Sequence, residues 1–119
     1  MTDYHEPPEQ MPEQDRDYVR ALRSLIEEID AVDWYQQRIV SCRNDELKAI
    51  LSHNRDEEME HASMVLEWLR RNMPGWDAQL RTYLFSEGDI PTLEDQSDSG
   101  GAEPFEEGLG IGGLRRVQD

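Results

Sequence analysis

From Glu13 to Asn72 the sequence contains neither glycine nor proline, the two residues that most reliably interrupt a helix. Apolar residues recur along the first part of this interval in steps of three and four: Tyr18, Leu22, Leu25, Ile29, Val32 and Ile39, with one polar gap at Gln36. That is the spacing of one face of an α-helix. A single polar break, Ser41-Cys42-Arg43-Asn44-Asp45, divides the interval, and Asn44 or Asp45 suits the cap of the helix that follows. Met73-Pro74-Gly75 closes it. Two long helices and a short turn predict an antiparallel αα-hairpin, so the fold class is all-α. A shorter third helix is expected from about Pro74 to Phe85, with Pro74 in its first turn and an apolar face of Trp76, Leu80, Tyr83 and Leu84.

The flanks have a different character. Residues 1–12 are acidic and proline-bearing and read as a disordered lead, without the basic and apolar regions of a signal peptide. Residues 13–85 form the helical unit. Residues 86–107, rich in Glu, Asp, Gly, Ser and Pro, read as a flexible acidic linker. Residues 108–119 then bring spaced aliphatics and two arginines to the end of an acidic tail.

Composition limits what such a unit does alone. With 119 residues, of which 36% are hydrophobic and 33% charged, the chain builds a thin core, and association is the expected remedy. Its net charge of −15 argues against nucleic acid as a partner, since that needs a basic footprint. No apolar run is long enough to cross a membrane. Cys42 is the only cysteine, which excludes an intrachain disulfide and suits the reducing cytoplasm.

The chemistry lies in the helix seams. The second helix carries Leu47, Leu51, Asn54, Glu58, His61, Val65 and Trp68 at alternating steps of four and three, with its polar members in the middle. The first offers a matching line, Ala21, Leu25, Glu28, Val32, Tyr35 and Ile39, which Glu28 interrupts near its centre. Glu28 and Glu58 stand at similar distances from the turn, so the hairpin brings them to one height. A carboxylate in an apolar seam is costly unless it is paired or bound to metal. Glu58 and His61, three residues apart, share a face and can grip one ion, although a single Glu-x-x-His is also the pattern of a solvated pair. Oxygen and nitrogen donors suit iron, manganese or zinc. A di-iron carboxylate site takes one Glu from each of two helices and Glu-x-x-His from each of two others. One hairpin holds half of that set, and two copies related by a two-fold axis hold all of it. Glu27 and Asp30 flank Glu28 and make either an acidic entrance for cations or an ordinary solvated face. Trp34 and Tyr35 read first as core aromatics. His53 shares the helix of His61 but carries little weight alone.

These blocks resemble encapsulated ferritin. The likeness rests on Glu27-Glu28-Ile29-Asp30-Ala31-Val32-Asp33-Trp34-Tyr35, on His53-Asn54-Arg55-Asp56-Glu57-Glu58-Met59-Glu60-His61-Ala62, and on Leu66-Glu67-Trp68-Leu69-Arg70-Arg71. It extends through Leu80-Arg81-Thr82-Tyr83-Leu84-Phe85 and covers roughly residues 20–90. The resemblance implies a half-ferritin whose homodimer rebuilds a ferritin-like four-helix bundle, the dimers assembling into an open decameric ring. It implies a ferroxidase that oxidises Fe(II) to Fe(III), with oxygen as acceptor, at a di-iron centre bridging two subunits. Glu28, Glu58 and His61 match the catalytic metal ligands, and Glu27 matches an acidic residue of the metal entrance. Asp30 stands where relatives can carry Glu, a shorter arm at that entrance. Trp34 and Tyr35 match aromatics close to the irons. The segment Gly108–Arg116 resembles a peptide that docks cargo inside an encapsulin shell, with Leu109, Ile111 and Leu114 filling apolar pockets. The expected location is therefore the cytoplasm, inside the encapsulin nanocompartment, with iron storage falling to the shell. Two other readings compete: a non-catalytic iron-binding or delivery module of the compartment, and a purely structural helical adaptor.

Overall fold

The computed structural model describes residues 4–100, and every regular element among them is helical. A single 3₁₀ turn at Pro8–Gln10 precedes α1 (Glu13–Ser41), α2 (Asp45–Asn72), α3 (Trp76–Tyr83) and α4 (Ile90–Gly100). The expected pair of long antiparallel helices is present, and the chain divides into two compact units, Met1–Leu69 and Arg70–Asp119.

In the first unit α1 opens after Pro12 with Glu13 and Asp15 in its first turn, where negative charge meets the positive end of the helix dipole. It ends as Cys42 turns to extended backbone and its N–H returns to the Ile39 carbonyl at 3.3 Å. Of the two candidate caps, Asn44 is the one used: its Oδ1 accepts the Leu47 N–H at 2.8 Å. Two cross-links set the register of the hairpin. Near the turn, Arg55 Nη1 donates to Gln36 Oε1 at 2.8 Å. Toward the other end the Tyr18 and Trp68 rings meet edge-on, with centroids 6.4 Å apart. Between these ties Glu28 faces Glu58.

The core is as thin as the composition requires. Among the described residues only Ile39 and Leu69 are buried hydrophobes, while Ile26, Ile29, Trp34, Leu47, Ile50 and Met64 remain exposed. Ile29 leaves the expected stripe because Glu28, one residue earlier and about 100° away around the helix, takes the inward face.

In the second unit, Gly75 at φ 105° precedes α3, a conformation that only glycine adopts without strain. Pro74 therefore lies in the turn, not in the first turn of α3 as the sequence suggests. Arg70 and Arg81 both grip Asp77, the latter through Nε at 2.9 Å to each oxygen. α3 packs against α4.

Two segments depart from expectation. The lead 1–12 is expected to be disordered, yet it includes the Pro8–Gln10 turn, tied down by Arg16 Nε donating to the Pro8 carbonyl at 2.8 Å. Adjacent prolines fix the backbone there, and the hydrogen bond to α1 helps to seat it. The linker 86–107 is expected to be flexible, yet α4 occupies Ile90–Gly100. Its start carries a local stop-and-cap device that composition hides. Thr92 Oγ1 donates to Asp89 Oδ2 at 2.6 Å, and Pro91 sits in the first turn. The remainder of the linker and the 108–119 segment, with Leu109, Ile111 and Leu114, lie outside the described residues.

Candidate metal centre

Glu28 of α1 and Glu58 and His61 of α2 converge at mid-hairpin. One ligand atom from each lies within 4.8 Å of the others, a spacing that one cation can span. His61 Nδ1 stands 3.4 Å from Glu58 Oε1 and 3.7 Å from Glu28 Oε1, so the ring presents Nδ1 to both carboxylates. The side chains are 27%, 24% and 42% exposed for Glu28, Glu58 and His61. The group is thus accessible from one side and sheltered on the other.

The electrostatics describe a site short of positive charge. The Glu28 carboxyl is raised above the ordinary range, first by its hydrogen bond to Glu58, then by burial and by repulsion from the Glu58 charge. His61 pulls in the opposite direction without winning. Two acids this close resist ionising together, and a cation bound between them relieves that cost. Carboxylate and imidazole donors fit iron, manganese or zinc, and three of them from one hairpin leave coordination positions for ligands from elsewhere.

A second layer lies on the outer side of the ring. Glu57 stands with Oε1 4.0 Å from His61 Nε2 and Oε2 3.9 Å from His53 Nε2. The spacing of four residues on either side of Glu57 is readable in the sequence, but neither seam includes His53, which carries little weight alone. Glu27 and Asp30 are exposed on α1 and do not join the triad. Trp34 is exposed as well, against the expectation of a core aromatic, because it sits on the face of α1 turned from α2. Tyr35 is half-buried, with the Arg38 guanidinium 5.3 Å from its ring centre.

The sequence pattern of the EncFtn-like family matches residues 3–87, well over half of the chain. The chain belongs to the EncFtn-like family. The resemblance to encapsulated ferritin is therefore shown across both long helices and α3. This EncFtn-like chain is 58% identical over 108 residues to a ferritin-like protein of Thermotoga maritima, covering 91% of this chain and 94% of that one. It is 49% identical over 121 residues to an encapsulated ferritin-like protein of Rhodospirillum rubrum, covering 93% and 86%. An encapsulin nanocompartment cargo protein of Myxococcus xanthus shares 41% identity over 61 residues, half of this chain and 47% of that one. Among solved structures, that of protein ne0167 from Nitrosomonas europaea superposes with a TM-score of 0.71 at 53% identity, covering 73% of this chain and 96% of that one. In the EncFtn-like chain, the carboxylate–carboxylate–imidazole group occupies the middle of the segment that the family pattern spans.

Proposed function

We propose that this chain is a ferroxidase that takes Fe(II) as substrate and passes its electrons to dioxygen. The observation that carries the reading is the triad itself: Glu28 and Glu58 converge with His61 Nδ1 aimed at the same point, and the Glu28 carboxyl is raised for want of a cation beside Glu58. Iron entering there supplies the missing positive charge, and the two carboxylates offset its charge both before and after oxidation. Three donors leave a metal under-coordinated. A second copy of the hairpin supplies the same three, so the reading makes the active unit a homodimer with two irons between its subunits. Exposed apolar side chains on α1 and α2, Ile26, Ile29 and Met64 among them, give such a copy something to cover. The further assembly of dimers into a decameric ring rests on the family resemblance. Glu27 and Asp30 act as the cation entrance in this reading, and Trp34 and Tyr35 lie beside the path.

The Rhodospirillum relative is named as encapsulated and the Myxococcus relative as encapsulin cargo. On that basis the partner is an encapsulin shell, engaged by Leu109, Ile111 and Leu114, and the working location is the interior of that compartment in the cytoplasm. Deleting residues 108–119 is expected to abolish co-purification with the shell and to preserve iron oxidation. Loading of the truncated chain would reject the docking segment.

Rapid mixing with Fe(II) in air tests the chemistry. Glu58→Ala and His61→Ala are expected to lose the fast absorbance rise of ferric iron while keeping their helicity. Unchanged oxidation in both variants sinks the ferroxidase. Stoichiometric iron binding by the wild type without accelerated oxidation would identify the non-catalytic delivery module instead.

A further inference from the structure

His61 has two ring nitrogens, and the proposed function uses one of them. Nδ1 faces Glu28 and Glu58, so a metal held with those carboxylates takes the Nδ1 lone pair. A neutral imidazole that gives Nδ1 to a metal carries its proton on Nε2. That N–H points away from the carboxylate pair and requires an acceptor of its own. The group facing it is Glu57 Oε1, at 4.0 Å. This is longer than a hydrogen bond, and a swing of about 1 Å by the carboxylate closes it. Such contacts tighten once the ligand they serve is in place.

Glu57 is suited to the task by its position. It precedes Glu58, so it lies about 100° around the helix from the inward carboxylate and cannot readily join the same ion. It lies four residues before His61 and four after His53, with one oxygen turned toward each ring. His53 Nε2, on a side chain 71% exposed, stands 3.9 Å from the second oxygen on the solvent side, and Glu57 is 49% exposed. The column His53–Glu57–His61 thus runs along the outer face of α2, beside the seam that carries the triad.

We infer that Glu57 is a positioning residue for the candidate metal centre, accepting the His61 Nε2–H and holding the ring with Nδ1 toward the metal. The inference rests on the assignment of Glu28, Glu58 and His61 as ligands. A carboxylate behind a ligating imidazole fixes the tautomer and ring orientation and raises the basicity of the ligating nitrogen. Loss of such a partner weakens metal affinity about 10- to 100-fold, and the half-exposed setting of Glu57 places it at the lower end.

Zn(II) tests this on the full-length chain, because it takes the same donors and has no redox chemistry. Calorimetric titration gives the affinity. Nitrogen-15 spectra of protein labelled at histidine report the ring, and with three histidines in the chain the signals are readily assigned. Glu57→Ala is expected to weaken Zn(II) binding about tenfold and to let the His61 Nε2 proton exchange with water, leaving helicity intact. Glu57→Gln keeps an acceptor oxygen and is expected to restore the proton signal and to bind within about threefold of wild type. Equal affinity and an unchanged Nε2 signal in Glu57→Ala overturn the positioning role. Failure of Glu57→Gln to rescue overturns it too, since Glu57 then acts through its charge or as a ligand. Glu58→Ala separates this from the underlying reading: if that variant binds Zn(II) as wild type does, it is the ligand assignment that falls.

Discussion

The same functional group behaves in opposite ways in two parts of this molecule. At mid-hairpin, the Glu28 carboxyl is raised because its nearest partner is another acid. At the start of α3, Asp77 is lowered: burial pushes it up, but hydrogen bonds and charge from Arg81 and Arg70 more than offset that. Asp77 has its cations built into the chain, so it is complete and serves to fasten the end of α2 to α3. Glu28 and Glu58 have no such supply and remain open to a cation from solution. A site and a clasp use the same acid, and what separates them is whether the sequence provides the counter-charge.

The sharpest way to break this contrast is Glu28→Gln. The amide still donates to Glu58, as the protonated acid does, but it cannot ionise for a metal. Iron oxidation is expected to fall to the uncatalysed rate in stopped-flow traces. The metal-free protein, in contrast, is expected to melt higher than wild type at neutral pH, because the repulsion between the two carboxylates is gone. The sign follows from the raised folded value. Stabilisation by protonated Glu28 is fully present below its unfolded value of about 4.3 and is lost as pH rises through the folded value above it. The advantage of the variant should therefore shrink on acidification through that window. A lower melting point for the variant at neutral pH would show that the pair is not strained by its own charge. Metal affinity should follow the reverse course and weaken as pH falls, since protons and the metal compete for the same oxygens.

A smaller effect is expected from Asp77→Asn, which removes the charge and leaves the shape. The carboxylate is held by two arginines but is partly exposed, so the loss is about 1 kcal/mol at neutral pH. Here the folded value is lowered. The contribution of the carboxylate is present above its unfolded value of about 3.9 and is lost as pH falls through the lower folded value. Denaturant titrations of the two proteins should thus converge in strong acid. Iron oxidation per folded chain should be unchanged, and a large loss of rate would mean that the clasp does more than fasten α3.

How much of this was visible beforehand depends on the range of the interaction. The long helices follow from breaker-free runs with apolar residues at steps of three and four, so α1 and α2 were legible. The meeting of Glu28 with Glu58 and His61 was legible too, because a hairpin forces residues equidistant from its turn to the same height. What escaped the sequence was local and side-chain based. α4 is announced by Asp89, Pro91 and Thr92, a cap too short to register against an acidic background. Seating of the lead draws on an Arg16 hydrogen bond to a backbone carbonyl, which no periodicity encodes. Glu57 belongs to neither apolar seam, although its spacing to both histidines is helical. Patterns built from burial find ligands that interrupt a seam and miss the residues that support them from outside it.

The smallest effect is expected where a carboxylate and an arginine meet in open solvent. Arg20 Nη1 lies 2.8 Å from Glu13 and 2.6 Å from Asp17, distances as short as those at Asp77, but the arginine side chain is 57% exposed. Water competes for each of these groups, and ordering a long side chain costs entropy that the pairing barely recovers. Arg20→Ala should therefore leave the thermal midpoint of the metal-free chain unchanged within measurement error, at low and at high salt. A clear drop at low salt that salt abolishes would place Arg20 with Asp77 as a working clasp, and distance alone would then outrank burial. With no drop, burial is what decides: Asp77 is a clasp because it and Arg70 are both sheltered, and the triad is a site because the sheltered Glu28 carboxyl meets Glu58 and His61 where Asp77 meets arginines.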